Sequence, residues 1–319
     1  MIKGKQRILS LMQQYGIFIA FVALVAVFGI ARFDTFLTLS NMINVMRQVS
    51  INGIMAIGMT LVIITAGIDL SVGSMLAFTA IVACSFAHPG DYPVIVSIVI
   101  ALAIGAALGF FNGIVIAKGK VPPFIVTLGM LTIARGLTQI FSGGRPVNNL
   151  SESFNFIGGG MIGFLPIPVL IFVIVIAIGW FILNKTRFGR YIYAIGGNMQ
   201  TAKVSGINVN KVLIGVYSIM GLLCGLAGLV LSARVETATA IAGTGYELDA
   251  IAAVYIGGAS TSGGKGTIMG TVIGVLIMGV LSNGLDLTGV SSYYQQVIKG
   301  LIIIGAVLLD LNSKSKKAN

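Results

Sequence analysis

The chain has 319 residues, of which 56% are hydrophobic and only 9% are charged, whereas soluble domains carry about 25% charged residues. With a mean hydropathy of +1.01, this composition excludes an ordinary soluble domain and indicates a protein that crosses a membrane several times. The net charge of +11 comes mainly from loops and tails beside apolar runs, so it does not indicate nucleic-acid binding.

Ten apolar regions follow one another along the chain, and each predicts a helix that crosses the bilayer. They lie near 13–31, 46–66, 72–87, 94–117, 123–141, 162–183, 212–233, 248–258, 267–283 and 294–310. The first region follows three cations and is long enough to span, so we expect no cleavable signal peptide. No soluble domain interrupts the series. We therefore predict an all-α polytopic membrane protein with a single domain, 1–319.

The eighth region, 248–258, is the exception among the ten because it is too short to cross alone. The glycine-rich run GGASTSGGKG follows it directly. Irregular backbone at membrane depth is tolerated only where protein surrounds it. We therefore predict a short or broken helix here, buried among the others.

Polar residues lie within or beside several apolar regions. Asp69, in AGIDLSVGS, precedes the third region, and a carboxylate at a helix start caps free N–H groups. Asn52, Asn112 and Asn283 carry neutral groups that suit either hydrogen bonds between helices or a pathway for a neutral polyol. Arg135 either extends towards the membrane surface or pairs with an acid outside.

Glycines recur at intervals of four residues in three regions, which places them on one helix face. They are Gly105 and Gly109, Gly221 and Gly225, and Gly266, Gly270 and Gly274. Such a face allows helices to approach closely. We expect this packing within one subunit, with an interface between subunits as the alternative.

The distribution of cations predicts the orientation in the membrane. The segment 184–211 carries five cations, and no acidic residue occurs between Glu152 and Glu236. With both termini inside, 14 of the 20 cations fall on the cytoplasmic side, as the positive-inside rule requires. We therefore predict a multi-pass membrane protein with both termini and the segment 184–211 in the cytoplasm.

Catalytic chemistry has no basis in this sequence. His88 lies in the turn HPGDYP without a nucleophile or ligand set beside it, and the two cysteines, Cys84 and Cys224, lie inside apolar runs. GGKGT lacks the first glycine and the hydroxyl of a phosphate-binding loop. We predict no catalytic residue, no metal site and no cofactor in this chain, so any ATP and Mg would be bound by another subunit.

Several long motifs together resemble one family, the permease subunit of bacterial ABC importers for monosaccharides. They are INGIMAIGMTLVIITAGIDLSVGS (51–74), NGIVIAKGKVPPFIVTLGM (112–130), TRFGRYIYAIGGN (186–198), SGINVNK (205–211), AGTGYELDAIAAV (242–254), GGASTSGGKG (257–266) and GLDLTGVSSYYQ (284–295). The resemblance covers nearly the whole chain after about residue 35.

The resemblance implies a set of partners and site residues. The partners are a second copy of the permease, a cytoplasmic ATPase with two nucleotide-binding domains, an extracytoplasmic sugar-binding protein, the sugar and membrane lipid. Contact with the ATPase is expected at Arg187, Gly196, Asn198, Ala202, Ser205 and Gly206. Related permeases have Glu-Ala-Ala after Gly-Gly-Asn, whereas this chain has Met199, Gln200 and Thr201 before Ala202.

We assign two further sets of candidate residues. Asn52, Asp69, Asn112 and Asn283 are expected along the translocation pathway, and Glu236 and Glu247 are expected to contact the binding protein. Ribose is the first substrate expected, with another pentose, a galactose-type hexose or a furanose signalling molecule as alternatives. A transporter driven by an ion gradient is the alternative function, but it would need a carboxylate relay within the spans.

Overall fold

The computed structural model describes the backbone of residues 2–318 and the side chains of residues 16–308 and of residue 310. Over this range the chain forms fourteen α-helices and one two-stranded hairpin. The helices are α1 (Ile2–Ala31), α2 (Phe33–Phe36), α3 (Leu39–Ile64), α4 (Val72–Cys84), α5 (Val94–Ala117), α6 (Pro123–Ser142), α7 (Glu152–Gly159), α8 (Ile167–Lys185), α9 (Arg187–Gly197), α10 (Met199–Val204), α11 (Val209–Val235), α12 (Tyr246–Ile256), α13 (Ile268–Leu287) and α14 (Ser292–Ala318); the strands are β1 (Met161–Ile162) and β2 (Leu165–Pro166).

The predicted all-α membrane fold is confirmed. Six helices, α3, α5, α6, α8, α11 and α13, are long and apolar enough to cross a bilayer. Shorter apolar helices are α4 and the stretches Gly16–Ala31 of α1 and Ser292–Leu308 of α14. Together with α12, these helices coincide with the ten predicted regions. The sixth region begins later than predicted, since residues 161–166 form the β1–β2 hairpin.

Two helices have only about a half to two thirds of the length of a span, and we call them the half-length helices. The prediction of a short helix at 248–258 is confirmed by α12, whose 11 residues extend about 17 Å, against about 30 Å of hydrocarbon. The prediction that only this region is short is wrong, because α4 has 13 residues and extends about 20 Å. Hydropathy could not separate α4 from a full span, since the run 72–87 is apolar throughout.

The bundle has two ends, which we name by the elements they carry. The basic face carries α9, α10 and the loop 257–266, and the backbone N–H of Gly264 donates to the carbonyl of Ile64 at the end of α3 (2.8 Å). The opposite face carries α7, the β1–β2 hairpin and an isolated bridge between Val147 and Ala238. Ile17 of α1 lies beside Gly258, and Asp310 of α14 accepts from Thr261 (2.9 Å). The outer ends of α1 and α14 therefore lie on the basic face.

The two half-length helices start near each other and run to opposite faces. Two segments turn back into the bundle before these helices. The first re-entrant segment, residues 65–71, enters from the basic face before α4. The second re-entrant segment, residues 236–245, enters from the opposite face before α12. Gly73, at the start of α4, packs against the carbonyl of Gly243, just before α12. The end of α4 reaches the opposite face, where Ser151 N–H donates to the Ala87 carbonyl (2.8 Å). Broken helices arranged in this way are common at the substrate sites of transporters.

The long helices pack closely where the glycines were predicted to allow it. Gly105 and Gly109 of α5 lie against the backbone of α11 at Gly221 and Tyr217, and Gly225 lies against Ala101. A side chain at any of these glycines would collide with a backbone carbonyl. Packing of this glycine face within one subunit is therefore confirmed. The core itself centres on α3, in which every residue from Gly53 to Ile64 is buried.

Candidate functional site

The short helix α10 forms the outermost part of the basic face. Asn198 starts it, since its Oδ1 accepts from the backbone N–H of Thr201 (2.9 Å), and the Ser205 hydroxyl donates back to the Thr201 carbonyl (2.9 Å). Gly206 ends it with φ of +84°, a conformation that favours glycine. Two hydrogen bonds therefore fix a helix of only six residues.

The outward side of α10 offers a surface to a partner. Ala202 is the one residue of α10 that is buried, at 3% exposed, while Val204 is 89% exposed. Ser205 and Gly206 are also exposed, and so is Arg187 at the start of α9. The outward side of α10 therefore combines an exposed aliphatic side chain with polar and basic groups. Asn198, Ala202, Ser205 and Gly206, four of the residues predicted to contact the ATPase, thus lie in or beside α10, whereas Arg187 lies at the far end of α9 and Gly196 packs inward.

Gly196 anchors this surface to the membrane bundle. It packs against the carbonyl of Ile64 in α3 and against the backbone of Gly264, so that no side chain fits there. Nearby, the Tyr193 hydroxyl donates to the Gly266 carbonyl (2.7 Å), and burial raises the pKa of this hydroxyl, which therefore remains a donor at neutral pH. A displacement of α10 would therefore act on the end of α3 and on the loop that joins the half-length α12 to α13.

A cavity of about 720 Å³ lies behind α10 on the basic face. Its walls include Met199 and Lys203 of α10, Lys120 before α6, and Asn208 before α11. At its inner end lie Gly67 of the first re-entrant segment and Tyr217 of α11. The cavity therefore leads from the basic face towards the buried polar residues that precede α4.

Asp69 and Asn112, two of the predicted pathway residues, belong to one buried polar cluster. Asp69 Oδ1 accepts from the backbone N–H of Ser71 (2.9 Å) and from its hydroxyl (2.5 Å), and Asn112 Nδ2 donates to the same hydroxyl (3.1 Å). All three side chains are fully buried. Asp69 thus bonds the N–H of Ser71, the residue before α4, and the Ser71 side chain caps no N–H of the helix, so the predicted cap at the first turn is not formed. Asp69 Oδ2 and Asn112 Oδ1 have no hydrogen-bond partner among the described residues.

The other two predicted pathway residues lie elsewhere. Asn283 of α13 forms a reciprocal pair of hydrogen bonds with Asn41 of α3 (2.9 and 2.8 Å) near the opposite face. Asn52 is half-buried on α3, and no described group bonds its Oδ1. The structure therefore brings Asp69 and Asn112 together but places Asn52 and Asn283 separately.

The two acids predicted to contact a binding protein differ in their exposure. Glu236 ends α11 on the opposite face and is exposed. Glu247 is half-buried at the start of α12, where its Oε1 accepts from the Gly245 N–H (3.2 Å) and its other oxygen lies beside Gly73. Glu236 is the more accessible of the two.

Two charged groups inside the bundle were not predicted as site residues. Arg135 of α6 donates hydrogen bonds to the carbonyls of Ala240 and Ala242, two backbone acceptors of the second re-entrant segment. Its guanidinium also interacts electrostatically with Glu247. This agrees with the expected pairing with an acid rather than with extension towards the membrane surface. Lys299 of α14 forms an ion pair with Asp249 of α12 (2.9 Å). Each of the two could have been found in the sequence as a cation within an apolar region, and charged residues at such positions are candidates for a functional role.

Comparison with known proteins gives a consistent result. Residues 41–307 match the family described as the branched-chain amino acid transport system / permease component. The chain is 50% identical over 304 residues to the ribose import permease protein of Escherichia coli K12, covering 94% of each chain. It is 48% identical over 303 residues to the ribose import permease protein of Bacillus subtilis 168, covering 94% of each. It is 38% identical over 332 residues to the galactose/methyl galactoside import permease protein of Escherichia coli K12, covering 98% of each. No solved structure matches.

Proposed function

The chain belongs to the family of permease components that this model and these relatives define, and we propose that it is the membrane subunit of an ATP-driven importer that takes up ribose. The observation that carries this proposal is the 50% sequence identity to a ribose import permease, which extends over 94% of both chains. The subunit is not an enzyme, and a separate ATPase subunit hydrolyses ATP. The importer also requires a binding protein that delivers the sugar.

Coupling to the ATPase is assigned to the surface around α10. Its support is the exposed side of α10, with Val204 at 89% exposed, together with the anchoring of Gly196 against α3 and the loop 257–266. When the ATPase domains close, force on α10 would reach the half-length α12 through this loop. In this mechanism Arg187, Asn198, Ala202, Ser205 and Gly206 form or shape the contact, and Gly196 transmits it.

The translocation pathway is proposed to run between two copies of the permease. Neutral hydrogen-bonding groups such as Asn52 and Asn283 suit a sugar that must be held weakly enough to leave. Asp69 and Asn112 are fully buried within one subunit, so they contribute only when the first re-entrant segment moves. The permease is proposed to lie in the inner membrane of a bacterial cell with the basic face and both termini in the cytoplasm, as the excess of cations on that face favours.

The binding protein is proposed to dock on the opposite face. Glu236 supports this proposal because it is an exposed acid at the end of α11. Glu247 lies deeper, beside the start of α4, and would be reached by the sugar or by a protruding loop rather than by a flat surface.

Reconstitution into proteoliposomes tests the function directly. The permease is combined with its ATPase and binding protein, and uptake of labelled ribose is measured with ATP inside the vesicles. We expect uptake that requires ATP, with weaker competition by galactose and allose than by unlabelled ribose. Uptake driven by a proton or sodium gradient without ATP would instead support the ion-coupled alternative. Preferential uptake of a hexose would overturn the assignment of ribose alone.

A further inference from the structure

The cavity of about 720 Å³ behind α10 is large enough to hold a small molecule, since ligand sites in proteins measure about 300–1,000 Å³. Its walls come from the first re-entrant segment, from the segment 116–123 that leads into α6, and from the segment 199–217 that runs from α10 into α11. Neither the ATPase contact nor the translocation pathway proposed above uses this cavity.

The mouth of the cavity is positively charged. Lys120 and Lys203 belong to different walls, and both are exposed. Neither lysine forms an ion pair with an acidic residue in the described part of the chain. Among the described residues no acid lines the cavity, and the sequence contains none from 92 to 151 or from 153 to 235. The mouth therefore favours an anion over a neutral or cationic ligand.

Two long helices add to this positive potential with their N-terminal ends. The start of α6, at residues 122–123, and the start of α11, at residues 208–210, both lie in the walls of the cavity. The N-terminus of a helix carries a partial positive charge and backbone N–H groups without a partner inside the helix. Both features attract a phosphate group.

The inner end of the cavity offers unpaired hydrogen-bonding groups instead of cations. Tyr217 lies there beside Gly67, and its buried hydroxyl has no hydrogen-bond partner among the described residues. Asp69 is close enough to act electrostatically on this hydroxyl, and its Oδ2 has no partner among the same residues. Buried polar groups are normally hydrogen-bonded, and the hydroxyls of a polyol can donate to both of these oxygens.

We propose that this cavity binds the phosphate ester of a small sugar, with the phosphate between Lys120 and Lys203 and a sugar hydroxyl at Tyr217. The phosphate then lies where the potential is positive, and the polyol lies where unpaired polar groups are buried. Inorganic phosphate would occupy only the mouth, whereas the uncharged sugar would gain nothing from the lysines. A phosphorylated sugar is the ligand that matches both ends of the cavity.

Such a ligand would connect α10 to the rest of the bundle. Lys203 belongs to α10, whereas Lys120 precedes α6 and Tyr217 belongs to α11. A molecule bound by all three opposes displacement of α10. Coupling to the ATPase, as proposed above, requires that displacement, so occupancy of the cavity should slow uptake; this consequence rests on the proposed function.

Isothermal titration calorimetry of the purified full-length chain in detergent tests the binding site. The terminal phosphate ester of ribose (ribose phosphate), inorganic phosphate and ribose are titrated at one ionic strength, because salt screens exposed charges. Ribose phosphate should bind about fivefold more tightly than inorganic phosphate, since the hydrogen bond to Tyr217 adds to the phosphate contacts, and ribose should not bind measurably. Equal affinities of the three ligands, or binding of ribose alone, would overturn the proposal. Binding of phosphatidylglycerol but not of ribose phosphate would assign the lysines to a lipid headgroup and would also overturn it.

Three variants test the two ends of the site separately. Lys120→Gln should weaken ribose phosphate and inorganic phosphate roughly tenfold, because a charge-assisted hydrogen bond is lost. Lys211→Gln is the matched control, since Lys211 is an exposed lysine of the same face outside the cavity walls, and it should bind like the wild type. Tyr217→Phe should weaken ribose phosphate while inorganic phosphate binds as before. Thermal unfolding establishes that each variant is folded. Equal weakening by Lys120→Gln and Lys211→Gln would reduce the effect to general surface charge and contradict a site.

Uptake by proteoliposomes tests the consequence for coupling. Ribose phosphate enclosed with ATP should slow uptake of labelled ribose by the wild type but not by Lys120→Gln. Unchanged uptake by the wild type would remove the claim that occupancy opposes coupling. The titrations need no ATPase, so their failure would overturn this site without bearing on the importer, whereas a lack of ATP-driven uptake under any condition would contradict the proposed function alone.

Discussion

At the scale of single residues, the Ser71 hydroxyl connects the two buried polar groups before α4. It donates to Asp69 and accepts from Asn112, and all three are fully buried. A buried polar group that loses its hydrogen-bond partner still bears the free-energy cost of its removal from water. Removal of a buried hydroxyl that has no partner, by contrast, breaks no hydrogen bond.

Ser71→Ala should therefore destabilise the folded chain by about 1–2 kcal/mol, because Asp69 and Asn112 both lose a partner. Thermal unfolding in detergent measures the change. Ser97→Ala is the matched control, since Ser97 of α5 is also fully buried but its Oγ has no partner among the described residues. The control should melt at or slightly above the wild-type temperature. Equal melting of the two variants would show that the Ser71 contacts are not stabilising.

The ion pair between Lys299 and Asp249 connects α14 to the start of α12, and its side chains are 21% and 10% exposed. Removal of one partner leaves an unpaired charge, whereas removal of both leaves none. Lys299→Met alone should therefore cost roughly 3 kcal/mol, and the double variant Asp249→Asn with Lys299→Met should cost markedly less. Chemical unfolding of the single and double variants gives the comparison. If the double variant loses as much as Lys299→Met, the pair is not the reason for the loss.

At the scale of elements, α10 is the clearest functional unit, because a six-residue helix is stable here only through its cap and its anchor. Its exposed Val204 has no role in packing the subunit. Its side chain is therefore available for a contact outside the subunit.

Val204→Asp should weaken association with the ATPase at least tenfold, about 1.4 kcal/mol, because a carboxylate would lose water at the interface. Uptake should fall in parallel while the membrane subunit remains folded. Co-purification of the ATPase and ribose uptake are the two measurements. Phe164→Asp, 82% exposed at the hairpin of the opposite face, should leave co-purification unchanged. Normal co-purification of Val204→Asp would exclude α10 from the interface.

At the scale of the whole molecule, two proposals can be tested: the orientation of the chain in the membrane and the contact of its opposite face with the binding protein. The native cysteines, Cys84 and Cys224, are both buried, so introduced cysteines can be labelled against a low background. Lys203 and Ser153 are exposed at the basic and opposite faces, respectively.

Ser153→Cys should react with an impermeant maleimide on intact cells, and Lys203→Cys should react only after the membrane is permeabilised. The reason is the excess of cations on the basic face, which favours a cytoplasmic location of that face. Labelling is measured by the mass shift of the purified protein. The reverse pattern would invert the proposed topology.

Glu236→Lys should raise the concentration of binding protein needed for half-maximal uptake several-fold, since charge complementarity accelerates encounter between partners. Uptake by proteoliposomes is measured against binding-protein concentration. The difference from wild type should shrink at high salt, where exposed charges are screened. An unchanged concentration dependence at low salt would remove Glu236 from the docking surface.

Much of this architecture could be predicted from residues alone. Apolar runs of fixed length require helices in a bilayer, so all ten regions were located, and the brevity of 248–258 identified α12. The interval of four between Gly221 and Gly225 predicted close packing, which the contact of α11 with α5 confirms. The motif order alone indicated the permease family. These features depend on local composition and spacing, which the linear sequence contains.

Other features arose only from the tertiary structure. α4 starts inside the bundle, where Asp69, Ser71 and Asn112 bond one another, and the sequence gives no sign of that depth. Gly196 packs against the backbone of Ile64 and Gly264, which are distant in the chain. Arg135 bonds carbonyls more than 100 residues away in sequence, and Lys299 pairs with Asp249, which is 50 residues away. Such pairings depend on which helices become neighbours, and hydrophobic pattern does not encode that choice.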